Sequence, residues 1–100
     1  MVSKRADEVK LVALVCEAGM GSSVMGAAIL QRRLQEAHLE IQVEHAALGE
    51  LPAIAGIVVS HRSLAARVRN AAPNARTFMV DEFIQTPVYD DLVRELLNSA

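Results

Sequence analysis

From Val9 to Val15 every residue except Lys10 is apolar, and a run of this kind without alternation reads as a strand covered on both faces of a sheet. Such a strand belongs in the middle of a sheet, with helices packed above and below it. It ends at Cys16-Glu17-Ala18-Gly19-Met20-Gly21-Ser22-Ser23. Beyond that loop Val24, Ala27, Ala28, Ile29, Leu30 and Leu34 recur at helical spacing to about Ala37. The order is strand, glycine loop, helix.

The alternation continues along the chain. Leu39, Ile41 and Val43 alternate with Glu40, Gln42 and Glu44, which predicts a half-exposed edge strand over 39–46. Ile54 to Ser60 reads as another buried strand, and Leu64, Val68 and Ala71 mark the helix after it, closed by Pro73 and Asn74. Thr77 to Val80 is a short strand, Asp81 is expected to cap a helical turn through Gln85, and Pro87 opens a last helix carrying Leu92, Val93, Leu96 and Leu97. The 1–8 segment is polar and reads as a flexible tail, leaving 9–100 as one domain. With 52% hydrophobic but only 3% aromatic residues, the core must be aliphatic, which suits helices on a parallel sheet. Strands and helices in alternation imply an α/β three-layer sandwich.

Ten basic against twelve acidic residues leave a net charge of −2, so nucleic-acid binding is not expected. No apolar run approaches the roughly twenty residues of a bilayer span, so direct membrane insertion is not expected either. No leader pattern opens the chain, and its single cysteine cannot form an internal disulfide. Both points suggest a soluble protein of the reducing cytoplasm. His38, His45 and His61 show no metal-ligand spacing, and no metal or cofactor is expected. A flavodoxin-like nucleotide binder would suit the topology. Yet a nucleophile lies where its cofactor phosphate would sit, and Phe78, Phe83 and Tyr89 are not placed to stack a ring.

In parallel sheets ligands gather beyond the carboxyl ends of the strands. Two segments point there, Cys16 to Ser23 and Ser60-His61-Arg62-Ser63. A cysteine between a buried strand and a helix lies at the positive end of the helix dipole, the setting of a nucleophile. Gly19 and Gly21 let successive N–H groups turn inward as an anion nest, and Ser22 and Ser23 add hydroxyl donors. Those parts fit storage of a phosphoryl group on Cys16. The plainer alternative is a core thiol beside a tight turn. His61 and Arg62 either reach the phosphoryl group or simply start a solvated helix. Met25 is read as core, and Met20 as a flexible contact for a docking partner.

The stretch from Cys16 to Ala27 (CEAGMGSSVMGA) resembles the phosphocysteine loop of enzyme IIB of the sugar phosphotransferase system (PTS), mannitol branch. The resemblance continues through Leu51-Pro52, through Val59-Ser60-His61-Arg62-Ser63-Leu64 and through Phe83 to Leu97. It implies a flavodoxin-like, four-stranded parallel sheet of order 2-1-3-4. It also implies that Cys16 accepts a phosphoryl group from a IIA phosphohistidine and delivers it to a sugar alcohol, mannitol in this branch, bound by membrane IIC. One departure is Glu17, where mannitol members usually have Asp. Another is that such domains are often fused to their membrane partner, whereas this chain starts at its own methionine. IIB-like domains in transcriptional regulators give a second implied role, as a phosphorylation switch. A low-molecular-weight phosphatase shares the topology but needs Arg six residues after its cysteine, where this chain has Ser22.

Overall fold

The computed structural model describes residues 9–16, 22–52 and 54–99. The expected tail at 1–8 and the loop residues Glu17, Ala18, Gly19, Met20 and Gly21 lie outside them. Within the described residues the order is β1 (Leu11–Cys16), α1 (Ser22–Glu36), β2 (Gln42–Ala47), β3 (Ile57–His61), α2 (Ala65–Ala71), β4 (Arg76–Val80) and α3 (Val88–Ser99). Short 3-10 turns follow β2 at Leu48–Glu50 and β3 at Arg62–Leu64. The strands form one parallel sheet of order β2-β1-β3-β4, as expected.

The unbroken apolar run takes the centre because both its faces are used. Val12 and Leu14 meet Leu30 and Leu34 of α1 and Tyr89, Leu92 and Leu96 of α3 in one buried cluster. Leu11, Ala13 and Val15 meet Val58, Leu64 and Val68 on the α2 side. Parallel crossovers thus put α1 and α3 on one face and α2 on the other. The aliphatic composition is used as expected, with Tyr89 the largest fully buried side chain.

Strand β2 is the half-exposed edge that its alternation predicts, though it pairs only from Gln42. Gln42 donates its N–H to the Lys10 carbonyl, so the groups of Ile41 and Val43 point away from β1. The Gln31 side chain of α1 meets them, donating Nε2–H to the Ile41 carbonyl and accepting the Val43 N–H through Oε1, each at 2.9 Å. At the other edge Arg76 of β4 lies over the Phe78 ring and grips Glu95 of α3 through two hydrogen bonds of 2.9 and 3.0 Å.

Three expectations fail. Ile54, expected to begin the third strand, is a 74% exposed turn residue; the Ala55 N–H donates back to the Pro52 carbonyl, and β3 begins only at Ile57. The segment from Asp81 to Gln85 is a series of bends, not a helical turn. Its shape is set by the burial of Phe83 against the core and the anchoring of the Phe83 carbonyl by Tyr89. Met25 is 56% exposed and Val24 is exposed beside it. The stripe of α1 facing the sheet runs through Ser23, Ala27, Leu30 and Leu34, a 3.6-residue period that leaves positions 24 and 25 outside.

Candidate functional site

The strand registers bring four chain positions into one row at the carboxyl edge. Cys16 pairs with Ala47, His61 pairs with Val80, and Val15 pairs with Ser60, so the next step up sets Cys16 beside His61. Adjacent strands lie about 4.8 Å apart. By strand alternation Cys16 and His61 both face the α1 and α3 side, since Leu14 and Val59, two residues earlier, lie in that cluster.

Cys16 ends β1 half-buried, packed against the same cluster. Its sulfur lies 3.1 Å from the hydroxyl oxygen of Ser23, a fully buried residue in the first turn of α1. The contact fixes the helix start against the sulfur, where the positive end of the helix dipole favours an anion. Of the expected loop, Ser23 is therefore brought to Cys16, Ser22 opens the helix, and positions 17–21 are outside the described residues.

The second expected segment is arranged differently. His61 Nδ1 accepts the Ser63 backbone N–H at 3.1 Å and lies 2.8 Å from the Ser63 hydroxyl, capping the 3-10 turn. A neutral imidazole with Nδ1 accepting carries its proton on Nε2, so that edge is a donor. Buried Ser60 donates its hydroxyl to the His61 carbonyl and is satisfied. Arg62 turns to the end of β4, where Nε donates to Asp81 at 2.9 Å. That hydrogen bond and the guanidinium charge hold the Asp81 carboxyl below its ordinary value. The helix-start reading of His61 thus describes one of its nitrogens.

Sequence reasoning missed a layer just beneath. Tyr89 of α3 donates its hydroxyl to the Phe83 carbonyl at 2.5 Å, and burial pushes that phenol up to about 12. Its oxygen stands against Gly26 of α1, one turn beyond Ser23. The signal present in the sequence is a glycine inside a helix, which usually marks a close approach. Among the described residues no group of three or more His, Cys, Asp or Glu could hold a metal ion. No helix there is long and apolar enough to cross a membrane.

A family model described as "PTS system, Lactose/Cellobiose specific IIB subunit" matches residues 11–95. The chain is 41% identical over 90 residues, 90% of its length, to the PTS system mannitol-specific EIICB component of Bacillus subtilis strain 168. It is 43% identical over 88 residues, 88% of its length, to a mannitol-specific cryptic EIICB component of Escherichia coli K12. A mannitol-specific EIICBA component of Pasteurella multocida is 39% identical over 95% of the chain. The chain spans 19%, 19% and 15% of those three relatives. Among solved structures, the lactose-specific IIB component domain of the PTS from Streptococcus pneumoniae matches 91% of this chain and 89% of that one. Its TM-score is 0.59 at 14% identity, a likeness of fold.

Proposed function

The chain belongs to the PTS IIB family, and we propose that it is a phosphocarrier whose acceptor is Cys16. The observation that supports this most is the sulfur at the carboxyl edge of the central strand, 3.1 Å from the buried Ser23 hydroxyl at a helix start. In this reading the Cys16 thiolate attacks the phosphorus of a phosphohistidine on a IIA partner. The S–P bond forms as the N–P bond breaks and its electron pair returns to the imidazole. A hydroxyl of a sugar alcohol held by membrane IIC then attacks the phosphocysteine. The O–P bond forms, the S–P pair returns to sulfur, and the hydroxyl proton passes to solvent.

Residues Glu17, Ala18, Gly19, Met20, Gly21, Ser22 and Ser23 form the phosphate-binding loop of this proposal. Backbone N–H groups and hydroxyls there donate to a phosphoryl group bearing about two negative charges, with no metal required. His61 adds the Nε2–H donor from the neighbouring strand, and Arg62 gives the rim a cation for partner encounter. Exposed Val24 and Met25 on the first turn of α1, with Ile84 beyond β4, form apolar surface that suits a landing protein. The names of the relatives support IIA and IIC as partners and mannitol as the sugar alcohol, and in this reading the domain works on the cytoplasmic side.

The test is incubation with phosphoenolpyruvate, the general phosphotransferase proteins and a mannitol IIA. One labelled phosphoryl group per chain is expected, lost in Cys16→Ser. Label retained in that variant, or turnover of p-nitrophenyl phosphate at phosphatase rates, overturns the reading.

A further inference from the structure

Glycine inside a helix is less favourable than alanine, so Gly26 in the second turn of α1 calls for a local reason. The reason is space. A Cβ there would stand 2.9 Å from the Phe83 carbonyl oxygen and 3.0 Å from Leu14 Cδ2, and closer still to the Tyr89 hydroxyl. Three elements therefore converge on one point of α1: strand β1 through Leu14, the 81–87 segment through Phe83, and α3 through Tyr89.

That point is one turn from the chemistry. Leu14 and Cys16 are alternate residues on the same face of β1, and Gly26 and Ser23 are three apart on the facing side of α1. The helix thus meets the strand on two successive rungs, Gly26 at Leu14 and Ser23 at Cys16. Whatever sets the lower rung sets the upper one. The Tyr89 oxygen cannot retreat readily, since it is fully buried and donates to the Phe83 carbonyl at 2.5 Å.

We propose that Tyr89 is a positioning residue for Cys16: its hydroxyl, fixed on the Phe83 carbonyl, sets how deeply α1 seats on β1 and so holds the Ser23 hydroxyl at the sulfur. The proposal deepens the reading of Cys16 as phosphoryl acceptor and rests on it. Tyr89 touches neither donor nor acceptor; it acts through Gly26 and Ser23. Because burial pushes its phenol up to about 12, the strut stays protonated throughout the neutral range.

The experiment compares the whole chain with Tyr89→Phe, Gly26→Ala and Ser23→Ala, and with each of the first two combined with Ser23→Ala. Iodoacetamide alkylation of Cys16 against pH reads the thiol without any partner. Phosphoryl uptake from the IIA donor reads kcat and KM. Circular dichroism establishes that each variant is folded. Tyr89→Phe and Gly26→Ala are expected to move the alkylation midpoint to higher pH and to lower kcat for uptake by about three- to tenfold, with KM for the donor little changed. In the Ser23→Ala background neither change should move the midpoint further, because the path runs through that hydroxyl. Should Gly26→Ala fail to fold, Tyr89→Phe carries the test alone, since it adds no atom. A folded Tyr89→Phe whose alkylation profile overlays the unmutated one overturns the proposal, as does a midpoint shift that persists without Ser23. If the unmutated chain takes up no phosphoryl group, the carrier reading falls while the alkylation series still decides whether Tyr89 positions the thiol.

Discussion

The two halves of the carboxyl edge are built on opposite principles. Around Cys16 the contacts are enclosed: Ser23, Leu14 and Tyr89 are fully buried and Gly26 leaves no room for a methyl group. Around His61 and Arg62 the contacts are polar and open to water, with Arg62 and Asp81 at 63% and 80% exposure. Packed side chains have few alternative arrangements, whereas an exposed ion pair is weak and readily exchanged. One half is suited to holding a reacting atom still, and the other to giving up its partners when a protein arrives.

The largest stability effect should come from the packed half. Leu92, fully buried beside Tyr89, should cost about 2–5 kcal/mol as Leu92→Ala in urea unfolding. A loss under 1 kcal/mol would mean that the packed half is not the rigid one. Next comes the chemistry itself. Ser23→Ala should slow single-turnover phosphoryl uptake roughly ten- to a hundredfold, the range for a hydrogen bond to a charged group. Arg62→Ala should instead raise KM for the donor in a salt-dependent way and leave kcat nearly unchanged. Equal effects on kcat would erase the contrast.

Smaller is the cap. His61→Ala removes the acceptor for the Ser63 N–H and should cost about 0.5–1 kcal/mol, while His61→Asn, which keeps an acceptor, should recover most of it. Smallest is the ion pair. Arg62 holds the Asp81 carboxyl below its ordinary value, so the folded chain binds that proton less readily than the unfolded one. The contribution is present above the unfolded value of about 3.9 and is lost as pH falls through the lower folded value. Melting curves of the unmutated chain and Arg62→Ala should therefore differ slightly at neutral pH and converge in acid.

The same division governs what could be read from sequence. The strand from Leu11, the helix after the glycine segment and the edge character of β2 all follow from periodicities of a few residues, and Cys16 stands out as the candidate because a strand exit, two glycines and two serines fall within eight residues of sequence. Met25 was misread because a methionine near an apolar stripe does not announce which side of the stripe it occupies; only the seating of α1 on β1 decides. The Tyr89–Gly26 contact joins positions more than sixty residues apart, beyond any local pattern, and the bends at 81–85 follow from the burial of Phe83 in that same core. His61 could be placed at the strand end from sequence, but its accepting nitrogen is set by a turn whose shape the sequence leaves open.

Gln31 has a consequence of another kind. An edge strand invites a passing chain to dock backbone to backbone, and the rung formed by the Ile41 carbonyl and the Val43 N–H is where such docking could begin. The side-chain amide of Gln31 occupies that rung as a peptide group would, presenting its own carbonyl and NH2 in place of a foreign strand. The domain is thereby guarded, at this rung of its flank, against sticking to copies of itself.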